Sequence, residues 1–205
     1  MDSSRLTRTM GGMRRRSLFL APAVACLFLS ACTGGTTPHA VQTTAPAAKA
    51  PTGPAGSPGN PVVFSCAEES FLSPGSVVQQ RPQPGDLAIG PLIIPGGQRL
   101  ATAEPGGYGE RGSYKIPFIV PMGATVTVII DPPARGHVVI SNPYAPAGVT
   151  AATYRPCPHV AGFYAQGFAF TGGQVRGCVP LEVRSGGEPR VRHATLSLFA
   201  GSCPG

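Results

Sequence analysis

Beyond residue 60, few groups could move a proton or hold a metal. They are His137, His159 and His193, with the acids Glu68, Glu69, Asp86, Glu104, Glu110, Asp131, Glu182 and Glu188. Paired carboxylates across a cleft would carry glycoside hydrolysis. Glu68 and Glu69 are neighbours in sequence, so on a strand they face opposite sides. Asp131 precedes Pro132-Pro133, where an aspartate that starts a turn is the simpler reading. A Ser-His-Asp arrangement assembles only in space. The Gly-x-Ser-x-Gly elbow that presents a nucleophilic serine does not occur: Ser113 follows Gly112 but is succeeded by Tyr114-Lys115. No catalytic residue is therefore assigned.

The thiols lead elsewhere. Cys66, Cys157, Cys178 and Cys203 share the same region, and Cys157-Pro158-His159 does not reproduce the paired C-x-x-C spacing of a zinc site. No metal is expected. An even number of cysteines in an exported chain implies two disulfides, here with three possible pairings. Cys66 follows the first expected strand and Cys203 the last. The favoured pairing joins these ends, leaving Cys157 with Cys178 around a short loop. The glycine pairs (Gly96-Gly97, Gly106-Gly107, Gly172-Gly173, Gly186-Gly187) read as turns, with no nucleotide-binding pattern, so no cofactor is expected. Phe163 and Tyr164, between His159 and Gln166, are the candidates for a contact surface, against the alternative that they cover the end of the core.

Charge excludes one class of partner. The net charge is +7, but five arginines and one aspartate before Cys32 account for +4, leaving 7 − 4 = +3 for the rest. Those later cations are scattered, whereas nucleic-acid binding needs them clustered.

The front of the chain carries an address. Met13-Arg14-Arg15-Arg16 precedes an uncharged run, Leu18 to Leu29, too short for the ~20 residues of a membrane-spanning helix. A basic start followed by a short apolar run is the secretory signal pattern. Leu29-Ser30-Ala31-Cys32 then resembles the lipobox of bacterial lipoproteins: a branched apolar residue, two small residues and a cysteine. The resemblance implies recognition of Leu29, Ser30 and Ala31 by a signal peptidase and cleavage before Cys32. It also implies lipid attached through the Cys32 sulfur, placing the chain on the extracytoplasmic face of the cell membrane.

Thr33 to Asn60 is Thr, Pro, Ala and Gly with almost no large apolar side chains, so it cannot offset its own ordering entropy. The expected organisation is a signal peptide over 1–31, a lipidated tether over 32–60 and one folded domain over 61–205. Within the domain, short apolar or alternating runs recur between Gly and Pro: Leu87 to Ile94, Tyr114 to Val120, Ala124 to Ile130, Val138 to Ser141, Gly167 to Thr171, Val179 to Arg184 and Ala194 to Phe199. Val126, Val128 and Ile130 share one face, as do Val179, Leu181 and Val183. No window keeps a helical period. The expected fold is all-β: an antiparallel sandwich of seven to nine strands with two disulfides, for which an immunoglobulin-like form is one option.

Several pieces resemble uncharacterised exported β-rich proteins of high-GC actinobacteria: Gly85 to Leu92, Tyr154-Arg155-Pro156-Cys157-Pro158, Cys178 to Val183 and Gly201-Ser202-Cys203. That resemblance implies no activity. The expected function is a non-catalytic domain, held to a membrane by covalent lipid, that binds a protein or cell-wall partner. A hydrolase with a site assembled in space and a structural subunit of an envelope complex are the alternatives.

Overall fold

The computed structural model describes residues 50–70 and 77–204. The signal peptide, Leu29, Ser30, Ala31, Cys32 and most of the tether lie outside the described residues.

Period-two alternation builds the main sheet. Val126, Val128 and Ile130 on β7 (Val126–Ile130), and Val179, Leu181 and Val183 on β13 (Gly177–Ser185), are fully buried on its inner face. β14 (Val191–Leu198) returns alongside β13 after a turn in which the Glu188 N–H donates to the Ser185 carbonyl. β10 (Ala151–Tyr154) flanks β7 on the other side, and β1 (Val62–Phe64) pairs with β10. The order is β1-β10-β7-β13-β14, antiparallel except for the parallel β1–β10 pair.

Two further sheets complete the fold. One runs β11 (Gly162–Tyr164), β6 (Phe118–Val120), β3 (Leu92–Ile94) and β2 (Leu87–Ile89). The other runs β4 (Gly109–Glu110), β5 (Ser113–Lys115), β12 (Gly167–Phe170), β8 (Val138–Asn142) and β9 (Ala145–Val149). Side chains from all three sheets share one core, including Phe64, Tyr154 and Leu181 from the first, Leu92, Phe118 and Tyr164 from the second, and Tyr114, Ile140 and Phe168 from the third. The arrangement is sandwich-like and all-β. Fully burying one such apolar side chain contributes about 1.5–3 kcal/mol.

The strands are shorter and more numerous than the sequence predicts, and proline and glycine explain why. Leu87 to Ile94 is a hairpin, with Leu87 opposite Ile94 and Ile89 opposite Leu92. Gly90 at its tip has φ +60°, the value required at the first central position of a II′ turn. In Tyr114 to Val120, Pro117 lies where the chain leaves one small sheet for the other. Pro180 sits inside central β13 without leaving a donor missing. Its carbonyl accepts from the Asp131 N–H at 3.0 Å, so its nitrogen faces the same side, just past the end of β7.

Two expectations are corrected. Both disulfides form, but they join Cys66 to Cys157 and Cys178 to Cys203. Cys66–Cys203 cannot form here, because β1 and β14 are opposite edges of the same sheet. The folded part also begins before residue 61. The Gly56 carbonyl accepts from Thr150 N–H at 2.9 Å and Ala151 N–H at 2.8 Å, fastening this stretch of the expected tether to the start of β10.

Candidate functional site

Three adjacent strands bring Asp131, Glu182 and His193 together on the outer face of the main sheet. Glu182 on β13 lies directly opposite His193 on β14. Asp131 follows β7 and is tied beside Pro180 by its own N–H. Residues at this parity point away from the core. Asp131 Oδ2 lies 3.4 Å from His193 Nδ1, and Arg184 Nε donates to Glu182 Oε1 at 2.5 Å. Both carboxylates are mostly covered, with side-chain exposures of 19% and 16%, whereas His193 is 62% exposed, so it meets solvent freely.

Asp131 does start a turn, the 3-10 segment Pro132–Ala134, but only through its backbone: its carbonyl accepts from the Ala134 N–H. Its side chain makes no capping bond. Asp131 and His193 line a groove of about 650 Å³ that also takes in Thr195, Ser197, Gln98 and Ser202. Chemically this is an acid–imidazole pair with no hydroxyl engaged on its imidazole among the described residues. Ser197 donates its hydroxyl to the Gly201 carbonyl at 2.7 Å. It also sits four strand residues from His193, about 13 Å at roughly 3.3 Å per residue. Among the described residues, no hydroxyl hydrogen-bonds to His193.

A second groove, of about 570 Å³, lies between the two smaller sheets. Its wall includes Tyr114, Lys115, Pro117, Pro143 and Phe163, and among the described residues Lys115 is the one charged side chain lining it. Phe163 faces outward on β11, opposite Ile119 and half-buried beside Ile93 and Ala161. Tyr164 takes the opposite parity and is fully buried, its ring 4.9 Å from that of Tyr154. Tyr164 is therefore corrected from a contact residue to a core residue, while Phe163 keeps an accessible edge.

Behind that groove is a buried polar cluster. The Tyr154 hydroxyl donates to Gln166 Oε1 at 2.5 Å. Burial pushes the Tyr154 phenol well above its ordinary value, and the Gln166 bond offsets only part of this. Burial also raises the Tyr164 phenol, helped by the charges of Glu69 and Glu68. Glu69 is itself pushed up by burial, although the Cys157 N–H donates to its Oε1 at 2.7 Å.

Asp86 is the most heavily satisfied acid. Its carboxylate accepts from Gly96 N–H, Gln83 N–H and Gln79 Nε2 at 2.7–2.8 Å. Burial raises its pKa, but these donors and the Arg99 charge outweigh burial and hold it below the ordinary carboxylate range. It ties the loop before β2 to the turn after β3, a structural task.

Neither His137 nor His159 contributes to the Asp131 cluster. Residue-by-residue reading missed that cluster because its members are 51 and 11 positions apart and meet only through strand register; the outward parity of Glu182 and His193 was the available signal. No protein-family model matches the chain, and neither does any curated protein or solved structure.

Proposed function

We propose that this chain is a lipid-anchored extracytoplasmic protein whose β-domain binds a protein or cell-envelope ligand without transforming it. The observation that carries the binding role is the groove beside Phe163. Its lining is apolar and uncharged apart from Lys115, with amide and hydroxyl groups from Asn142, Gln166, Ser113 and Ser141. Binding sites combine apolar walls with a few polar groups that orient a ligand, and among the described residues no acid or histidine lines this one. Two disulfides suit an oxidising compartment, and Leu29-Ser30-Ala31-Cys32 resembles an acylation signal.

A hydrolytic site is the second reading, favoured by the contact between Asp131 and His193 beside the larger groove. It lacks a nucleophile among the described polar contacts.

Site-specific photo-crosslinking in intact cells separates these readings. A crosslinker at Phe163 should give an adduct of defined mass, while one at Arg190, an exposed residue before β14, should not. Equal labelling from both positions would contradict the binding role. Hydrolysis of an ester or glycoside panel that is abolished by His193→Asn would favour the second reading.

A further inference from the structure

We propose that Asp131, Glu182 and His193 bind a single divalent transition-metal ion, with zinc as the probe. This goes beyond ligand binding at Phe163 and does not depend on it.

The donor set comes first. One ligand atom from each residue lies within 4.8 Å of the other two. Tetrahedral zinc with nitrogen and oxygen ligands at about 2.0–2.1 Å has ligand–ligand edges of about 3.3–3.4 Å. Asp131 Oδ2 and His193 Nδ1 are separated by 3.4 Å. That is long for a hydrogen bond, which centres near 2.9–3.0 Å, but it matches an edge of that tetrahedron. A Glu182 carboxylate oxygen lies within 4.8 Å of both, so an ion on this edge would have to draw that side chain inward.

The surroundings support the same reading. Asp131 occupies the cap position of a turn whose next two residues are prolines without an N–H, so its carboxylate has no backbone donor to cap and turns toward His193. Arg184 holds Oε1 of Glu182, leaving the second oxygen without a hydrogen-bond partner among the described residues. Outer contacts of this kind orient ligating carboxylates. The strand ladder fixes two of the three backbones: Glu182 pairs with His193 on one side and Ile129 on the other. Arg184 pairs with Glu182, and Arg135 donates its Nε to the Ile130 carbonyl beside Asp131, so the ion is held by donor geometry rather than by excess negative charge.

The chemistry narrows the ion. One imidazole with two carboxylates suits zinc and its neighbours, whereas calcium and magnesium favour all-oxygen shells. Three protein donors leave a coordination position open, and Asp131 and His193 place the ion at the wall of the larger groove.

The test is calorimetric titration of zinc into the full-length mature protein in detergent, after stripping with chelator. One zinc per chain is expected. His193→Asn, Asp131→Asn and Glu182→Gln should each weaken it by about tenfold or more, with far-UV circular dichroism unchanged. Arg190→Ala, an exposed position before β14 and outside this groove, should leave binding intact. In the protein NMR spectrum, the His193 ring resonances should move on zinc addition. Absence of binding at about 100 μM zinc would overturn the proposal. So would binding that survives all three substitutions, which would mark an adventitious ion only.

Discussion

Cys66 and Cys157 lie 4.6 Å apart at their Cα atoms because β1 and β10 run side by side in the same direction. Phe64 is in register with Tyr154, so each cysteine follows shortly after a paired strand end. The other bridge has the same kind of origin: Cys178 lies on β13 opposite Ser197, and the chain beyond β14 folds back to present Cys203.

Non-reducing peptide mapping should recover Cys66–Cys157 and Cys178–Cys203 and no cross-pairing. The bridges close separations of 91 and 25 residues. Loop entropy assigns them stabilisations of about 4.5 and about 3.5 kcal/mol respectively. Urea unfolding of the two double-serine variants should therefore show the larger loss for Cys66/Cys157.

Gly167 stands where β12 meets β5, and a Cβ there would fall 1.5 Å from the Tyr114 carbonyl oxygen. Because the obstacle is backbone, no rotamer change relieves it. Gly167→Ala should destabilise the domain by about 1–3 kcal/mol. Gly106, which has open space around it, should accept alanine within about 0.5 kcal/mol. Thermal or urea denaturation of the two variants checks both.

Asp86 and Glu69 should shape the acid response in opposite directions. The Asp86 pKa is depressed by folding, so its contribution is present above the unfolded value near 3.9 and lost as pH falls through the folded value. The Glu69 pKa is raised, so its contribution is present below about 4.3 and lost as pH climbs through the folded value. Asp86→Asn should therefore cost about 1–3 kcal/mol at neutral pH, and far less at about pH 2. Glu69→Gln should raise stability at neutral pH and leave it unchanged in acid. Urea unfolding at both pH values reads each effect.

Where one strand carried its own pattern, sequence reading and structure agree. Val126, Val128 and Ile130 share the buried face, and the Ser185–Glu188 turn joins β13 to β14. What depends on pairing between distant strands was not readable. Ala151 to Tyr154 is small residues and one aromatic with no alternation, so β10 carried no signal, and without β10 the route from Cys66 to Cys157 was invisible. The apolar character of Leu87 to Ile94 masks its break at Gly90-Pro91, although glycine before proline is itself a turn signal. At the site, Glu182 alternates with Val179, Leu181 and Val183, and His193 with Leu196 and Leu198, so parity alone points both outward. The approach of Asp131 does not follow from parity, because it depends on where β7 ends against Pro180.

The most direct measurement is the intact mass and N-terminal sequence of the mature protein purified from membranes. The account predicts a chain beginning at Cys32 and carrying a thioether-linked diacylglyceryl group, with Cys32→Ala shifting the protein out of the membrane fraction. A mature chain that begins elsewhere, carries no lipid and fractionates as soluble protein would contradict it.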